Sequence, residues 1–345
     1  MSLVPTLDVQ AIVEELLRPP IPSIRYKVHV HVLGEDPDSR AMHRLQREVR
    51  DSPQVAALLR GRDASGRITR PSGVYAKWQG AHWVLAALAD IGYPSRDRAL
   101  EPLRDQVQEH WLAPQYFREF AATSKAAAYA GRGVPVMQGR HRRCASQQSN
   151  ALWSVLVLGL ANERSHALAE RLLYWQWPDG GWNCDKNPDA DSSSFMETIL
   201  PLRALALYAS TFDDEKARQA SRRAAEPFLE RELFLRRSDG SVIRQDFTEL
   251  HYPLYWRYDV LHGLKVLAEA GLIGDRRCRR ALDLLASKRL PDGGWPAERR
   301  YYRVSSEIAN GNDHVDWGGT SRTRMNPWVT ADALFVLKAA GRLRL

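Results

Sequence analysis

The chain contains Gln176-Trp177-Pro178-Asp179-Gly180-Gly181-Trp182 and, further on, the near copy Leu290-Pro291-Asp292-Gly293-Gly294-Trp295. In each copy Pro fixes φ, Asp can hydrogen-bond to the backbone and Gly accepts positive φ, which is the chemistry of a tight turn. The closing Trp supplies a large apolar anchor. Each copy follows an amphipathic run and precedes a more apolar one. The two segments therefore predict a repeated helix-turn-helix unit.

Weaker copies of the turn, at Ser65-Gly66 and Asp239-Gly240, extend the repeat along the chain. Apolar runs of helical period follow the turns, at Ile24–Leu33, Trp78–Ile91, Gln147–Leu160, Phe195–Tyr208, Tyr258–Gly271 and Val329–Ala340. More charged helical runs precede them, at Val9–Leu17, Ser39–Arg60, Arg98–Trp111, His166–Trp175, Glu215–Phe234 and Arg276–Lys288. A helix that is apolar on most faces must be surrounded by protein, whereas a helix with a charged stripe can face water. We therefore predict an all-α fold, a single (α/α)6 toroid of six outer and six inner helices.

Composition agrees with one folded domain over residues 1–345, because 44% of the 345 residues are hydrophobic and no linker-like segment interrupts the repeats. The net charge of +8 comes from interspersed arginines and not from a dense basic stripe, so nucleic acid is not an expected partner. Contact with a membrane surface stays compatible with this charge. Three cysteines and no apolar segment of membrane-spanning length predict a cytoplasmic protein without a disulfide framework. The oligomeric state is left open.

The Gln176–Trp182 segment resembles the QW motif of squalene–hopene cyclases, and the helical pairing is similar to the α/α toroid of those cyclases and of protein prenyltransferase β subunits. The resemblance covers most of the chain as a repeat pattern, but its sharp motif matches are only Gln176–Trp182 and Pro291–Trp295. It implies that the loop residues Gln176, Trp182 and Trp295 are structural. It also implies an enzyme that binds a hydrophobic, isoprenoid substrate in the central cavity of the toroid.

The cyclases protonate an alkene with an acid that lies in an Asp-x-Asp-Asp motif at the start of an inner helix, and the resemblance implies such an acid here. The nearest match here is Asp189-Ala190-Asp191-Ser192, so Asp191 would inherit the role of proton donor, while Ser192 departs from the motif. Further polar candidates for the rim are Asp185, Asp259 and Asp316. Aromatic faces stabilise carbocations. The aromatic and histidine side chains expected to line the substrate site are Trp78, His82, Tyr252, Trp256, Tyr258 and Trp317.

A second interpretation is a zinc enzyme, because the resemblance to prenyltransferase β subunits implies zinc held by Asp, Cys and His at the starts of inner helices. Cys144, Cys184 and His251 lie before predicted inner helices, with Asp185 as an alternative carboxylate. Thiolate, imidazole and carboxylate are competent zinc ligands. The spacing is not a zinc signature, so a Cys/His/Asp rim site that serves a transferase or hydrolase stays an alternative. A non-catalytic toroid that binds a lipid or a protein is the third interpretation.

Overall fold

The computed structural model describes residues 7–18 and 20–344, and it is rich in helices. The α-helices are α1 (Gln10–Leu17), α2 (Pro22–Lys27), α3 (Arg40–Arg50), α4 (Pro53–Leu58), α5 (Ala81–Asp90), α6 (Glu101–Trp111), α7 (Lys125–Ala130), α8 (Ala145–Val157), α9 (Glu163–Trp175), α10 (Phe195–Phe212), α11 (Glu215–Leu229), α12 (Val260–Glu269), α13 (Arg279–Ser287) and α14 (Pro327–Ala339). A π-helical segment, Val28–Leu33, continues α2. The prediction of a helix-rich protein is confirmed.

Short strands and 3-10 turns occur between the helices. The strands are β1 (Leu7–Asp8), β2 (Glu119–Ala121), β3 (Val134–Met137), β4 (Arg140–His141), β5 (Arg303–Val304), β6 (Asn312–Asp313) and β7 (Leu343–Arg344). They form three small sheets, in the orders β1-β7, β2-β3-β4 and β5-β6. The parallel pairing of β1 with β7 brings the two ends of the described chain together, with Leu7 opposite Leu343.

The apolar helices contact one another in chain order. α5 packs against α8, α8 against α10, α10 against α12, α12 against α14, and α14 against α2 with its π-helical continuation. Lys27 Nζ in α2 lies 3.2 Å from Asp90 Oδ2 in α5, so the side chains of the first two apolar helices also meet. The charged helices α3, α6, α9, α11 and α13 each pack against the apolar helix that precedes them. One hydrophobic cluster includes residues from Val9 to Leu337.

Helix bounds differ from the predicted runs where capping chemistry intervenes. Ser39–Arg60, predicted as one helix, is two: α3 ends at Arg50, and α4 restarts at Pro53 with the Ser52 side chain accepting a hydrogen bond from Val55 N. The run Trp78–Ile91 begins its helix only after Gly80, which takes the extended N-cap conformation. Within the described residues, no helix combines the length and the hydrophobicity that crossing a bilayer demands. The cytoplasmic location stays a prediction.

The two copies of the Pro-Asp-Gly-Gly-Trp turn make the same contacts. Trp182 Nε1 donates to Leu172 O at 3.0 Å, and Trp295 Nε1 donates to Leu285 O at 2.7 Å. The backbone N–H of each Trp donates to a Thr Oγ1 on the following apolar helix, at 3.1 Å to Thr198 and 2.9 Å to Thr330. Each turn therefore ties a charged helix to the apolar helix after it, as the sequence predicted for the two tryptophans.

The aspartates of these turns repeat the pattern. Asp179 Oδ2 accepts from Ser193 N at 2.6 Å, and Asp292 Oδ2 accepts from Met325 N at 2.9 Å. Gln176 Nε2 donates to Gly180 O at 2.7 Å and to Ala220 O at 2.8 Å, which joins the first turn to α11. These contacts hold the ends of neighbouring helix pairs in register.

Candidate functional site

A cavity of about 330 Å³ lies between the apolar helices, towards their carboxyl-terminal ends. We call it the inter-helix cavity. Its lining includes side chains from α2 with its π-helical continuation, α5, α8, α10, α12 and α14. The apolar part of the wall consists of Ala89, Trp153, Val157, Ala206, Leu207, Val266, Ala270 and Phe335. Charged side chains, with the polar residues His31 and Ser210, supply the rest of the lining.

These charged side chains form a network that we call the charged floor, and they are Lys27, Asp90, Arg203, Lys265, Glu269 and Asp332. Lys27 Nζ lies 2.9 Å from Asp332 Oδ1, and Lys265 Nζ lies 3.0 Å from Asp332 Oδ2. Asp90 Oδ1 lies 3.0 Å from Lys265 Nζ. Both lysines are therefore shared between the same two aspartates, and every one of these side chains is mostly buried.

Arg203 completes the charged floor from α10. Its Nε and Nη2 donate to the two carboxylate oxygens of Glu269 at 2.6 and 2.7 Å, a bidentate pair. Its guanidinium carbon lies 3.7 Å from the ring centroid of Trp153, a cation–π contact. With three cations and three carboxylates, the charged floor is neutral overall when all six groups are ionised.

The protonation states follow from burial and pairing. Burial alone would raise the pKa of Asp90, but Lys265, Lys27 and Arg203 outweigh it and hold that pKa well below its usual value. The pKa of Asp332 is likewise lowered, because Lys265 and Lys27 outweigh its burial. Asp332 and Asp90 raise the pKa of Lys265 against the opposing effect of burial. At neutral pH these groups are charged, and neither aspartate is a proton donor.

His31 adds an uncharged polar group to the wall of the inter-helix cavity. The ring is partly open to solvent, and its loss of hydration beside the cavity, followed by the positive charge of Lys27, lowers its pKa. Its ring lies 5.4 Å from the ring of Phe335. His31 is therefore neutral at physiological pH and can donate or accept one hydrogen bond through each ring nitrogen.

A narrow extension of about 30 Å³ continues from the charged floor towards the amino-terminal ends of the apolar helices. It shares Asp90, Trp153 and Arg203 with the inter-helix cavity and is closed by Tyr252, Tyr255 and Trp317 among others. Tyr252 Oη donates to Asp90 Oδ2 at 2.8 Å, so the charged floor is anchored to this end as well. Two of the six predicted substrate-binding side chains, Tyr252 and Trp317, thus line the extension.

Beyond the extension, aromatic side chains pack tightly. Tyr252 stacks on Trp328 with ring centroids 5.0 Å apart, and Trp317 meets Trp328 edge-on at 5.1 Å. Trp78 stacks on Tyr255 at 3.7 Å with an interplanar angle of 5°, and its Nε1 donates to Tyr301 O at 2.9 Å. Trp78 is therefore part of a packed aromatic layer and does not line the cavity.

The remaining predicted substrate-binding residues lie in other surroundings. His82 is buried, with Trp111 Nε1 donating to its Nδ1 at 3.0 Å, and burial lowers its pKa to about 3. Tyr258 packs among phenylalanines and donates from its hydroxyl to Leu233 O at 2.7 Å. Trp256 is half-buried, with the Arg257 guanidinium 4.2 Å from its ring centroid. The structure does not bring these three to the inter-helix cavity.

The predicted catalytic aspartates are dispersed. Asp185, Asp191 and Asp316 are exposed. Asp185 and Asp316 each accept a hydrogen bond from the backbone N–H two residues later, the arrangement of a turn. Asp259 is fully buried as the N-cap of α12, accepting from His262 N at 2.8 Å and from His251 N at 2.9 Å. None of the four lines the inter-helix cavity.

Asp313 is a buried carboxyl that sequence reasoning did not single out. Its Oδ2 accepts a short hydrogen bond from the Tyr255 hydroxyl and one from Trp317 Nε1 at 2.9 Å, and its Oδ1 accepts from Val315 N at 2.9 Å. Burial raises the pKa of Asp313 although these hydrogen bonds oppose the shift. Asp313 is thus an oriented carboxyl group in a buried, aromatic setting, and two of its donors, Tyr255 and Trp317, border the narrow extension.

The predicted metal ligands separate into two places. Among residues 7–18 and 20–344, one group of three metal-ligating side chains has its ligand atoms within 4.8 Å of one another, and it consists of Cys144, Cys184 and Glu197. His251 lies elsewhere, with its Nδ1 2.6 Å from Asp259 Oδ2, in a geometry that does not align the ring N–H for a hydrogen bond. Two thiols and a carboxylate suit zinc, so the donor set fits that ion with Glu197 in the place predicted for His251.

The charged floor was not predicted, although the sequence contains a signal for it. Lys27, Asp90, Arg203, Lys265 and Asp332 are charged residues within or at the end of otherwise apolar helical runs. Charged side chains are almost never fully buried unless they are paired. One such residue in each of several apolar helices, with both signs present, indicates a paired cluster where those helices meet.

Comparisons with known proteins give distant structural neighbours only. No protein-family model matches the chain, and no curated protein matches it. One solved structure, a protein from Actinoplanes, has a TM-score of 0.45 and 15% identity and covers 93% of this chain and 90% of its own. The type II terpene cyclase MstE from Scytonema, solved with geranylgeranyl dihydroxybenzoate as substrate, has a TM-score of 0.42 and 14% identity, covering 94% and 88%. Similarity at this level establishes neither the reaction nor the ligand of this chain.

Proposed function

We propose that residues 1–345 form one closed (α/α)6 toroid, a terpenoid-cyclase-like protein that binds a small amphipathic molecule in the inter-helix cavity. Closure is supported by the sequence of contacts from α5 through α14 to α2, and by the pair between Lys27 and Asp90 that joins α2 to α5. The pairing of β1 with β7 draws the chain ends to one place, as a ring requires.

The observation that carries the proposal is the composition of the inter-helix cavity. Its volume of about 330 Å³ is at the lower end of the range of small-molecule sites, which is about 300–1,000 Å³. Aliphatic and aromatic walls such as Leu207, Val266 and Phe335 suit a hydrocarbon chain, and the charged floor supplies polar partners at one end. A compact isoprenoid that ends in a polar group suits both parts of the cavity, whereas a long hydrocarbon without such a group would place apolar carbon against the charged floor.

The charged floor also restricts the polar end of the ligand. Lys27, Arg203 and Lys265 are each already paired with carboxylates at 2.6–3.0 Å, so no free positive charge faces the cavity from them. A diphosphate would add negative charge next to Asp90, Glu269 and Asp332, and like charges in a site of low dielectric repel strongly. We therefore propose an uncharged or zwitterionic polar end, such as an alcohol.

Ligand binding tests this proposal directly. Isothermal titration of the full chain with farnesol and with farnesyl diphosphate should give measurable binding of the alcohol and at least about tenfold weaker binding of the diphosphate, about 1.4 kcal/mol. Ala206→Trp, which places an indole in the cavity wall, should weaken farnesol binding at least as much. Ala41→Trp on the exposed face of α3 is the matched control and should bind like the wild type. Equal binding by Ala206→Trp and Ala41→Trp, or tighter binding of the diphosphate, would contradict the proposal.

A second candidate function, acid-initiated cyclisation of the bound isoprenoid, is favoured by Asp313. Protonation of an alkene needs an acid in a dry site and aromatic faces near the cation. Asp313 has a raised pKa and is held by Tyr255 and Trp317, which border the extension of the cavity, whereas the pKa values of Asp90 and Asp332 in the charged floor are lowered. Asp313→Asn should abolish conversion of farnesol, followed by gas chromatography, while farnesol binding is unchanged. A wild-type chain that binds the alcohol without any conversion would instead identify a non-catalytic binding protein.

A further inference from the structure

We propose that Cys144, Cys184 and Glu197 form a zinc-binding site, separate from the inter-helix cavity. Cys144 lies at the N-cap of α8, Cys184 follows the turn that ends at Trp182, and Glu197 lies in the first turn of α10. The fold thus delivers three metal-ligating groups from three chain segments to one point. The zinc site does not depend on the proposed ligand of the cavity.

The distances between the ligand atoms fit a zinc ion. With Zn–S near 2.3 Å and Zn–O near 2.0–2.2 Å, tetrahedral angles place a sulfur and an oxygen ligand about 3.6 Å apart and two sulfurs about 3.8 Å apart. Cys184 Sγ lies 3.5 Å from Glu197 Oε1, and all three ligand atoms lie within 4.8 Å of one another. The sulfur–oxygen distance thus matches the value expected for two zinc ligands, and the bound of 4.8 Å places the third ligand atom near the same point.

Glu197 is oriented for this role by a contact outside the site. Its Oε2 accepts from Ser146 N at 3.1 Å, in the first turn of α8, which leaves Oε1 directed at the Cys184 thiol. Metal-ligating carboxylates are commonly fixed by a hydrogen bond of this kind. Cys144 lies at the amino terminus of the same helix, so α8 carries both Cys144 and the backbone N–H that orients Glu197.

Charge balance gives a second, independent reason. Arg143 lies beside the three ligands, and its Nε and Nη2 are buried without a hydrogen-bond partner. The guanidinium carbon lies 5.7 Å from the ring centroid of Trp111 and 5.1 Å from that of Tyr116, so the rings hold it in place without satisfying its N–H groups. Two thiolates and a carboxylate carry three negative charges, which one Zn²⁺ and one guanidinium neutralise. A buried arginine without a carboxylate pair is thereby explained.

The site has three protein ligands and one free coordination position among the described residues. A structural zinc site normally closes its tetrahedron with a fourth protein ligand, whereas an open position admits water or a substrate. A zinc ion bound here would complete its tetrahedron with a water molecule or another small ligand.

Metal analysis tests the proposal without any activity assay. The full chain, expressed in zinc-supplemented medium and purified without chelator, should contain about one zinc per chain by mass spectrometry. Cys144→Ser and Cys184→Ser should each lose the metal while retaining the helical circular dichroism spectrum. Cys278→Ala, which removes the third, distant cysteine, is the matched control and should keep it. Glu197→Gln should weaken zinc affinity by at least about tenfold, because it replaces an anionic ligand with a neutral one.

Cobalt gives a direct signature of the ligands. Co²⁺ added to the metal-free chain should produce a thiolate-to-cobalt charge-transfer band that is absent from Cys144→Ser and Cys184→Ser and present in Cys278→Ala. A wild-type chain that retains no zinc and shows no such band would overturn the proposal. So would a disulfide between Cys144 and Cys184 in protein purified without reductant, detected by peptide mapping, because it would consume both thiolates.

Discussion

Replacing Asp332 with Asn tests the charged floor most sharply. Asp332 is 2% exposed and accepts from Lys27 Nζ at 2.9 Å and from Lys265 Nζ at 3.0 Å. The substitution keeps the shape of the side chain but removes its charge, so two buried ammonium groups are left to share Asp90. Removing one partner of a buried ion pair costs about 3–5 kcal/mol, because the remaining charge is uncompensated. We expect the free energy of unfolding to fall by that amount.

Urea denaturation followed by circular dichroism measures this loss, and the chain supplies a matched control. Asp213 forms an ion pair with Arg218 at 2.6 Å, but its side chain is 93% exposed. Asp213→Asn is the same chemical change at a surface pair and should cost less than about 1 kcal/mol. The comparison isolates the effect of burial from the loss of a carboxylate.

A double variant completes the test. Lys265→Met together with Asp332→Asn removes one charge of each sign and leaves Lys27 paired with Asp90. The double variant should therefore be more stable than the sum of the single losses implies, by at least about 1 kcal/mol. Strict additivity, or a loss below about 1 kcal/mol for Asp332→Asn alone, would refute the view that the charged floor is a tightly coupled buried network.

Three further predictions concern the turns and a buried histidine. Gly180→Ala should destabilise the chain by more than about 2 kcal/mol, because Gly180 has φ +94° and a Cβ would lie 2.3 Å from Arg223 O. Gly271→Ala is the control, since Gly271 has φ +71° but open space around it, and it should cost only about 1 kcal/mol in the same urea assay. Gln176→Ala removes the donor to Gly180 O and Ala220 O and should cost about 1–3 kcal/mol, against less than about 0.5 kcal/mol for Gln219→Ala on an exposed helix face. His82, with a pKa of about 3, should stay neutral at pH 5 in a nitrogen-15 NMR titration, and a ring that titrates near pH 6.5 would contradict the buried, neutral state of His82. Because folding lowers the pKa of His82, its contribution to the free energy of unfolding should fall as the pH drops below about 6.5.

The helix pairs were predictable because their signals are local. A few dozen residues are enough to recognise the turn residues such as Pro178 and Gly180, the Trp anchor, and the alternation of charged with apolar runs. The bounds were less predictable, since they depend on caps: Ser52 restarts a helix inside a run that looks continuous, and Gly80 delays another. The short strands of the loops between α6 and α8 and before α14 carry no alternating pattern long enough to be recognised.

The charged floor was not predicted because its ion pairs form only when the tertiary structure brings different helices together. Lys27, Asp90, Lys265 and Asp332 lie on four different helices, and each taken alone is an isolated charge in an apolar run. The candidates Asp185, Asp191 and Asp316 were attractive because they precede inner helices, but short loops rich in turn residues expose their carboxylates to water. Position at the start of a helix fixes where the backbone lies and leaves the direction of the side chain open.

For the two cysteines, position in the sequence before a predicted helix was enough to predict that they lie near each other. Cys144 and Cys184 were both placed before inner helices, and the structure brings them together. Glu197 was missed because it is the third residue of the predicted apolar run that starts at Phe195, where a carboxylate is expected on the helix surface. Its burial and its contact with Ser146 N come from the packing of α8 against α10, which no local pattern reveals.

A crystal structure of the chain soaked with farnesol tests the central claim most directly. We expect six apolar helices closed in a ring, with the alcohol oxygen within hydrogen-bond distance of the charged floor and the carbon chain along Leu207 and Phe335. Helices that fail to close, or farnesol bound only outside the inter-helix cavity, would contradict the account.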